Sequence, residues 1–347
     1  MTWFTWRQFR AQAIVAAAAL AVVAAALAVT GPHLAHLFDS NGLASCQARG
    51  TCGNDVTAFM DQFKAAGDAV LFWLTAGLVF LAPALIGIFW GAPLIAREIE
   101  AGTFRLAWNQ SITRLRWLAV KLGLVGLASM AVAALLTLMV TWWASPIDRA
   151  IALPAGRNGA PGFNQFAPAL FVAHGIVPIG YAAFALALGI TAGLVLRRTV
   201  PAMAVTLLLF AAVQIAVPLW VRPHLLPPRH AVTVLNPASI DGWTAGANGY
   251  MNVTAATDLP GAWLLSNQVL TPAGHTFTGP APAACVSNSA PVSACSAALG
   301  RLGLRQQVAY QPASRFWAFQ WLETGIYLAL AGALGGCCAL LIRRRAP

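Results

Sequence analysis

Six apolar stretches alternate with polar segments along the chain. Each is close to the length of about 20 mostly apolar residues that a helix needs to cross a bilayer. Each must be a helix, because lipid offers no hydrogen-bond partner to an open backbone. The pattern therefore predicts an all-α polytopic membrane protein with six transmembrane helices. The predicted spans are residues 13–29, 69–94, 122–143, 168–196, 200–221 and 324–342.

The first stretch also has the pattern of a secretory signal, since Arg7 and Arg10 precede it and small residues lie near Thr30. Signal cores are usually about 7 to 15 residues long. The run at residues 13–29 is longer, and five further spans follow it. We predict a retained span, with cleavage as the alternative, and neither outcome changes the rest of the topology.

Composition excludes an ordinary soluble domain, because 59% of the 347 residues are hydrophobic and only 9% are charged, against about 25% in typical globular domains. Lys and Arg are concentrated in one set of short segments, and such segments face the cytoplasm. We therefore predict a multi-pass protein of a bacterial cell membrane with both termini cytoplasmic. The net charge of +11 then reports topology and not a nucleic-acid partner. The basic residues of this side are Arg7, Arg10, Arg97, Arg105, Arg114, Arg116, Lys121, Arg197, Arg198, Arg343, Arg344 and Arg345.

The segments on the opposite side differ in length, and long ones usually fold and act. Residues 31–68 are predicted to contain a short helix at 55–66, and residues 145–167 are rich in Pro and Gly. Residues 222–315 are long enough for a small domain, and their composition favours short strands and turns around a modest core. The predicted organisation is a membrane domain at 1–221, an extracytoplasmic insertion at 222–315, and the last span with a basic tail at 316–347.

The cysteines agree with this layout. Cys46 and Cys52 lie in the first outer segment, and Cys285 and Cys295 in the last, where an oxidising exterior permits disulfides. We predict one disulfide within each segment, because neither spacing resembles a metal knuckle. Cys337 and Cys338 lie near the inner end of the last span and should be reduced.

A long inner loop at residues 95–121 predicts a helix, a break and a second helix. Residues 95–99 continue the second span, Gly102 is a natural helix terminator, and Thr103 can cap a new turn. A second stop falls at Asn109 and Gln110, after which Ser111 can cap the helix of the third span. The loop is amphipathic. A plain interfacial helix is one interpretation, but Glu98 and Glu100 would be repelled by an anionic leaflet, which favours a protein partner.

The amino-terminal residues 1–12 form a second amphipathic piece, with Trp3, Phe4, Trp6 and Phe9 beside Arg7 and Arg10. We predict a helix in contact with membrane lipids along the inner interface, which then turns into the first span.

The spans contain few ionisable groups. Lys121 lies at an inner edge and Glu323 at an outer edge, which leaves His174 as the one candidate inside. Ion-coupled carriers place Asp, Glu or His near the midplane, so this class is disfavoured. A P-loop is also absent, because Lys64 and Lys121 are followed by Ala65 and Leu122. We therefore predict no cofactor on this chain, with ATP and Mg²⁺ held by a separate polypeptide.

No catalytic arrangement stands out, and the chain is predicted not to be an enzyme. His33, His36 and Asp39 form an H-x-x-H-x-x-D run that could in principle ligate a metal, but the spacing is short, and polar residues at the membrane rim are the favoured interpretation. Three GxxxG patterns permit close helix approach, either within one subunit or at a dimer seam. These are Gly87/Gly91, Gly189/Gly193 and Gly332/Gly336.

Three segments resemble a known family. The inner loop REIEAGTFRLAWNQSITRLRWLAVK resembles the coupling element of the type-2 ABC exporter permeases, with its acidic helix, Gly-Thr, Ser/Thr-Arg pair and Lys entering the next span. TWRQFRAQ and YQPASRFWAFQWLETGIYLALA look like the actinobacterial branch of that family. The use of 19 Arg against 2 Lys fits a high-GC genome.

The resemblance implies a six-span permease that pairs, as a homodimer, with two ATP-binding subunits. It also implies which residues contact the ATPase. Many members have Pro where Gln110 and Ser111 stand, and the insertion exceeds the short hairpin of the family. The implied docking residues are Arg97, Glu98, Glu100, Gly102, Thr103, Arg105 and Arg114, with Lys121 at the exit.

The leading hypothesis is the membrane subunit of an ATP-driven exporter that moves an amphiphile such as a drug, antibiotic, peptide or lipid outward, as in multidrug efflux. The alternative is a membrane sensor or scaffold whose outer domain binds a ligand. A membrane-embedded enzyme is a third hypothesis, and it lacks identifiable catalytic residues.

Overall fold

The computed structural model describes residues 2–49, 52–102, 113–153, 165–245, 251–257, 259, 261–286 and 292–344. Within these ranges six helices are long and apolar enough to cross a membrane, which confirms the predicted polytopic all-α fold. In chain order they are Phe9–Ser40, Asp68–Glu100, Leu115–Ala152, Val177–Leu196, Thr199–His224 and Ala313–Arg344, here called spans one to six.

The helical elements follow the hydrophobic runs but extend beyond them. Two π-helical turns, Gly87–Gly91 and Val217–Val221, lie within spans two and five. The remaining helices of the membrane region are α1 Thr2–Ser40, α2 Cys46–Arg49, α3 Gly53–Ala65, α4 Asp68–Ile86, α5 Ala92–Glu100, α6 Arg114–Ala152, α7 Pro168–Ala173, α8 Val177–Leu196, α9 Thr199–Ala216 and the 3₁₀ turn Arg222–His224.

Span one differs from the prediction at its start. The amphipathic residues 1–12 were expected to turn before the span, but α1 runs without a break from Thr2 to Ser40. The physical reason is composition, since residues 2–30 lack Gly and Pro and are rich in Ala, the best helix former. The helix of span three likewise continues to Ala152, into the segment at 145–167 that was expected to be a connection.

The predicted helix at 168–196 is broken. A short helix α7 ends at Ala173, Gly175 takes a positive φ of 118°, and α8 begins at Val177. The side chain of Gln320 fills the break. Its Oε1 accepts from the backbone N–H groups of Ile176 and Val177, at 3.0 Å each, and its Nε2 donates to two carbonyls of α7 and its end. The amide thus satisfies helix-terminal groups that apolar surroundings would leave unpaired.

Span four is the centre of the bundle. Most of α8 is buried, and it packs against spans two, three, five and six. Two of the three GxxxG patterns face each other here. A Cβ on Gly189 would lie 2.7 Å from the backbone N of Ala92 and still closer to the carbonyl of Gly87. Glycine is therefore required for the contact between spans two and four, within one subunit. In the third pattern, a Cβ added at Gly332 or Gly336 would have no atom within 4 Å.

The two ends of the bundle can be distinguished by what lies at each. The start of span one, the end of span two and the end of span six meet in one apolar cluster, with Phe9 4.7 Å from Trp90 and Ile342 nearby. We call this the loop end, because residues 95–102 and 113–121, on either side of the inner loop, lie there. Span five starts at this end, where Thr199 bonds Glu100, and finishes at the opposite end.

The opposite end, here called the sheet end, carries the residues between spans five and six. Strands β1, β5 and β4 form an antiparallel sheet in the order β1-β5-β4, and β2 pairs with β3. A core around Leu235, Met251 and Leu299 joins the two sheets and a short helix. The elements are β1 Arg229–Val234, β2 Ile240–Ala245, β3 Met251–Ala255, β4 Trp263–Leu270, α10 Ala283–Val286, α11 Val292–Gly300, β5 Arg305–Gln311 and, after a 3₁₀ turn, α12 Phe316–Arg344.

Both predicted cysteine pairs are bonded, and both lie at the sheet end. Cys46 joins Cys52 beside α3, and Cys285 joins Cys295 between α10 and α11. Helix α3 packs its apolar face, including Phe59 and Phe63, against Phe38 and Phe72 of spans one and two. Cys337 and Cys338 are free, one exposed and one buried.

Candidate coupling site and the buried charges of the bundle

Helix α5 carries the predicted docking residues. It ends at Glu100, and Gly102 adopts a φ of 69°, so the glycine terminates the helix as predicted. Thr103 and Arg105 lie outside the described residues, as do Asn109, Gln110 and Ser111. Helix α6, which forms span three, begins at Arg114, and only the backbone of Arg114 is described. The N-cap residue of α6 is Thr113, whose hydroxyl accepts a hydrogen bond from the backbone N–H of Arg116 at 3.4 Å.

The acidic residues of α5 have different environments. Glu98 is buried, and its Oε1 binds Nζ of Lys121, which is 1% exposed at the start of span three. The same Nζ lies 3.4 Å from the carbonyl of Leu94 and 4.7 Å from the centre of the Trp117 ring. The pair therefore ties the end of span two to the start of span three.

Arg97 and Glu100 occupy the outer face of α5, and both are exposed. The carboxylate of Glu100 accepts from the hydroxyl of Thr199, the first residue of α9. Helix α5 thus contacts spans three and five through one carboxylate each. The exposed side chain of Arg97 lines a cavity beside Phe9 and Gln12 of span one.

A second buried ion pair lies at the sheet end. Arg222 at the end of span five is 1% exposed and binds Glu323 of span six, which is 0% exposed, with Nε–Oε2 and Nη2–Oε1 distances of 2.8 and 3.0 Å. The hydroxyl of Tyr181 in span four donates to the same carboxylate. The guanidinium lies 3.9 Å above the Phe171 ring. The network therefore joins spans four, five and six where the insertion begins and ends.

The sequence reasoning missed this network. Glu323 was expected at an outer edge, and Arg222 was counted with the outer domain. The sequence did carry one signal for it. Arg222 lies one residue after the fifth predicted span, Glu323 lies one residue before the sixth, and their charges are opposite. Asp148 and His174 were also missed as a pair. The structure places His174 Nδ1 3.3 Å from Asp148 Oδ1. Burial lowers the pKa of His174 to about 4, so its imidazole is neutral near pH 7.

The H-x-x-H-x-x-D run does not converge on one point. His33 Nδ1 lies 3.2 Å from Asp68 Oδ2, at the start of span two. Across the part of the chain that the structure describes, no three His, Cys, Asp or Glu side chains come together as metal ligands do.

A lateral cavity of about 450 Å³ lies between spans one, two and three. This volume is within the range of about 300 to 1,000 Å³ typical of small-molecule sites. Gln12 stands at its loop end, where its Nε2 donates to the carbonyl of Phe89 at 3.0 Å. The lining is otherwise apolar, with Val15, Ala19, Val23, Leu78, Ala82, Leu85, Phe89, Trp90, Val132 and Leu136 among its residues.

Comparison with known proteins adds one match. Residues 17–222, more than half of the chain, match the family described as ABC-2 membrane transporter related. The match begins in span one and ends at Arg222, so it covers spans one to five and the loop at 95–121. No curated protein and no solved structure matches the chain.

Proposed function

The chain belongs to the ABC-2 membrane transporter related family, a family of ABC permeases, and we propose that it is the membrane subunit of an ATP-driven exporter. A separate ATP-binding subunit supplies the energy, and an amphiphilic molecule is moved out of the cytoplasm by alternating access. The observation that carries this proposal is helix α5, a charged helix at the bundle end that is bonded to two different spans.

In this proposal the exposed side chains of Arg97 and Glu100 form the docking surface, with Gly102, which is half-buried, beside them. The further predicted contacts are Thr103, Arg105 and Arg114. Glu98 is a positioning residue, because its carboxylate is buried against Lys121. In this mechanism, movement of α5 is transmitted to span three through the contact of Glu98 with Lys121. It is transmitted to span five through the contact of Glu100 with Thr199.

We also propose that the loop end faces the cytoplasm. The charges support this, since the basic residues of the short segments cluster there. The first and last described helices begin and end at this same end. The disulfides Cys46–Cys52 and Cys285–Cys295 lie at the other end, and disulfides persist in oxidising compartments.

The lateral cavity supports an amphiphilic substrate. Its apolar lining is formed by membrane-spanning helices, so a molecule dissolved in the bilayer could enter it without crossing water. We further propose a homodimer in the membrane, as ABC permeases need two ATP-binding subunits. The open face of span six at Gly332 and Gly336 is the surface available for a close helix contact.

The docking proposal predicts that charge reversal on α5 disrupts the complex. The chain is co-expressed with the candidate ATP-binding protein, purified through a tag on the permease, and the bound partner is quantified. Arg97→Glu with Glu100→Arg should reduce the co-purified partner at least about tenfold, which corresponds to about 1.4 kcal/mol.

The matched control reverses an exposed pair at the sheet end. Asp61→Arg with Lys64→Glu changes two side chains that are 71% and 62% exposed and lie 3.9 Å apart. This variant should retain the partner. Full retention by the α5 variant would contradict docking at this helix.

Unchanged drug accumulation in cells lacking the gene, with altered gene expression instead, would favour a sensor.

A further inference from the structure

A second, smaller cavity lies at the sheet end, where span three ends and the break before span four begins. Its volume is about 110 Å³, which exceeds the share of a single water, about 30 Å³. We call it the acceptor cavity. It is lined by Phe72, Asp148, Ile151, Ala152, Gln165, Leu170, His174, Gly261 and Ala313.

The imidazole of His174 contributes an unused hydrogen-bond acceptor. The side chain is 7% exposed, and its Nε2 has no partner among the described residues. Because the ring is neutral, it carries one proton, and the nitrogen that faces the carboxylate of Asp148 is Nδ1. A proton on Nδ1 satisfies that contact and leaves Nε2 with a bare lone pair. A buried acceptor of this kind requires a donor.

Asp148 contributes a carboxylate, and no Lys or Arg among the described residues forms an ion pair with it. Within the described ranges its one ion-pair contact is His174. Three cations of the described residues have partners elsewhere. Arg149 binds the carbonyl of Ser145, and Arg222 binds Glu323. Arg315 donates to the backbone carbonyl of Pro227 and to the side-chain Oε1 of Gln311. The side chain of Asp148 is 39% exposed, so the cavity opens to solvent on this side.

Phe72 adds an aromatic surface. Its ring centre lies 6.1 Å from that of His174, at an interplanar angle of 62°. A carboxylate, an imidazole acceptor and an aromatic ring have in common that each attracts a cationic donor. The aliphatic side chains of Ile151, Leu170 and Ala313 offer contact to a short carbon chain.

We propose that the acceptor cavity binds a primary alkylammonium group, with Asp148 as the counter-charge, His174 Nε2 as an acceptor and Phe72 as an aromatic contact. An ammonium group has three donors and no acceptor, which matches the lining. This site is separate from the lateral cavity and from α5. It stands or falls independently of ATP-driven transport.

The test uses the full chain in nanodiscs and n-propylammonium chloride as the ligand, measured by isothermal titration calorimetry. The wild-type chain should bind n-propylammonium, whereas the neutral isostere n-propanol should not bind at the same concentrations. Asp148→Asn should weaken n-propylammonium binding at least about tenfold, since a charge-assisted hydrogen bond is lost. The control Asp61→Asn, on the exposed face of α3, should leave it unchanged.

A second measurement on the wild-type chain covers the case in which Asp148→Asn does not fold. The chain is labelled with ¹⁵N-imidazole histidine, and the His174 signals are identified by their loss in His174→Gln. Addition of n-propylammonium should shift the His174 Nε2 resonance, and n-propanol should not. No shift, equal binding of both ligands, or unaltered affinity in folded Asp148→Asn would overturn the proposal.

Discussion

At the scale of single residues, the pair of Arg222 and Glu323 connects spans five and six at the sheet end. Both side chains are almost fully buried, and two hydrogen bonds join them. Glu323→Gln leaves the guanidinium in an apolar region without its counter-charge. Breaking one side of a buried pair costs about 3 to 5 kcal/mol. We expect a loss of unfolding free energy of this size, measured by denaturant unfolding of the purified chain.

The double variant Arg222→Met with Glu323→Met should be less destabilised than the sum of the two single variants, because no unpaired charge remains. The exposed pair of Arg49 and Asp55 is the control. Its side chains are 55% and 28% exposed, so Asp55→Asn should cost less than about 1 kcal/mol. A Glu323→Gln effect as small as that of Asp55→Asn would show that the buried pair does not hold the spans together.

This pair also shows why residue contacts were beyond sequence reasoning. Arg222 and Glu323 are separated in the chain by the whole insertion. Each lies one residue outside a predicted span, but this position alone does not show that the two side chains meet. A charge near the end of an apolar run has the same local pattern whether it faces water at the rim or a partner inside. Glu98 was similar, since its position in an acidic helix indicated a contact surface, whereas Lys121 binds it inside the bundle.

At the scale of helices, the contact between spans two and four depends on glycine. A Cβ at residue 189 would meet backbone atoms of Gly87 and Ala92, and backbone cannot move aside as a flexible side chain can. Gly189→Ala should therefore lower stability by about 1 to 3 kcal/mol, the usual cost of overpacking, despite the better helix propensity of Ala. Thermal unfolding of the purified chain measures this.

Gly123→Ala in span three provides the control, because a Cβ there meets nothing within 4 Å. This variant should be neutral or slightly more stable, by up to about 1 kcal/mol, as Gly costs about that much in a helix interior. Equal effects of the two alanine substitutions would mean that spans two and four do not pack as closely as the structure has them.

The positions of the spans could be predicted from sequence because the bilayer imposes a length and an apolar composition on each helix. Gly102 as a helix end could be predicted for a local reason, its tolerance of positive φ. The break at Gly175 could not. Residues 168–196 are apolar apart from a few positions such as His174, and the break is stabilised by Gln320, which comes from span six. Tertiary contacts of this kind leave no periodic pattern in the segment they interrupt.

At the scale of the whole molecule, the proposed orientation predicts which end of the bundle reagents reach in intact cells. Ala273 is an exposed turn residue at the sheet end, and Ala101 is exposed at the end of α5. The parent variant for labelling carries Cys337→Ser and Cys338→Ala, because the other four cysteines are bonded and unreactive. A membrane-impermeant maleimide should label Ala273→Cys in intact cells, and Ala101→Cys only after permeabilisation.

Two positions are enough for this test because the described residues contain an even number of spans. The described starts and ends of the chain then share one side with α5, and the insertion shares the other with α3 and both disulfides. The parent variant, without an added cysteine, should remain unlabelled before and after permeabilisation. Labelling of Ala101→Cys in intact cells would place α5 outside, where no ATP-binding subunit could reach it, and both the orientation and the docking proposal would then be wrong together.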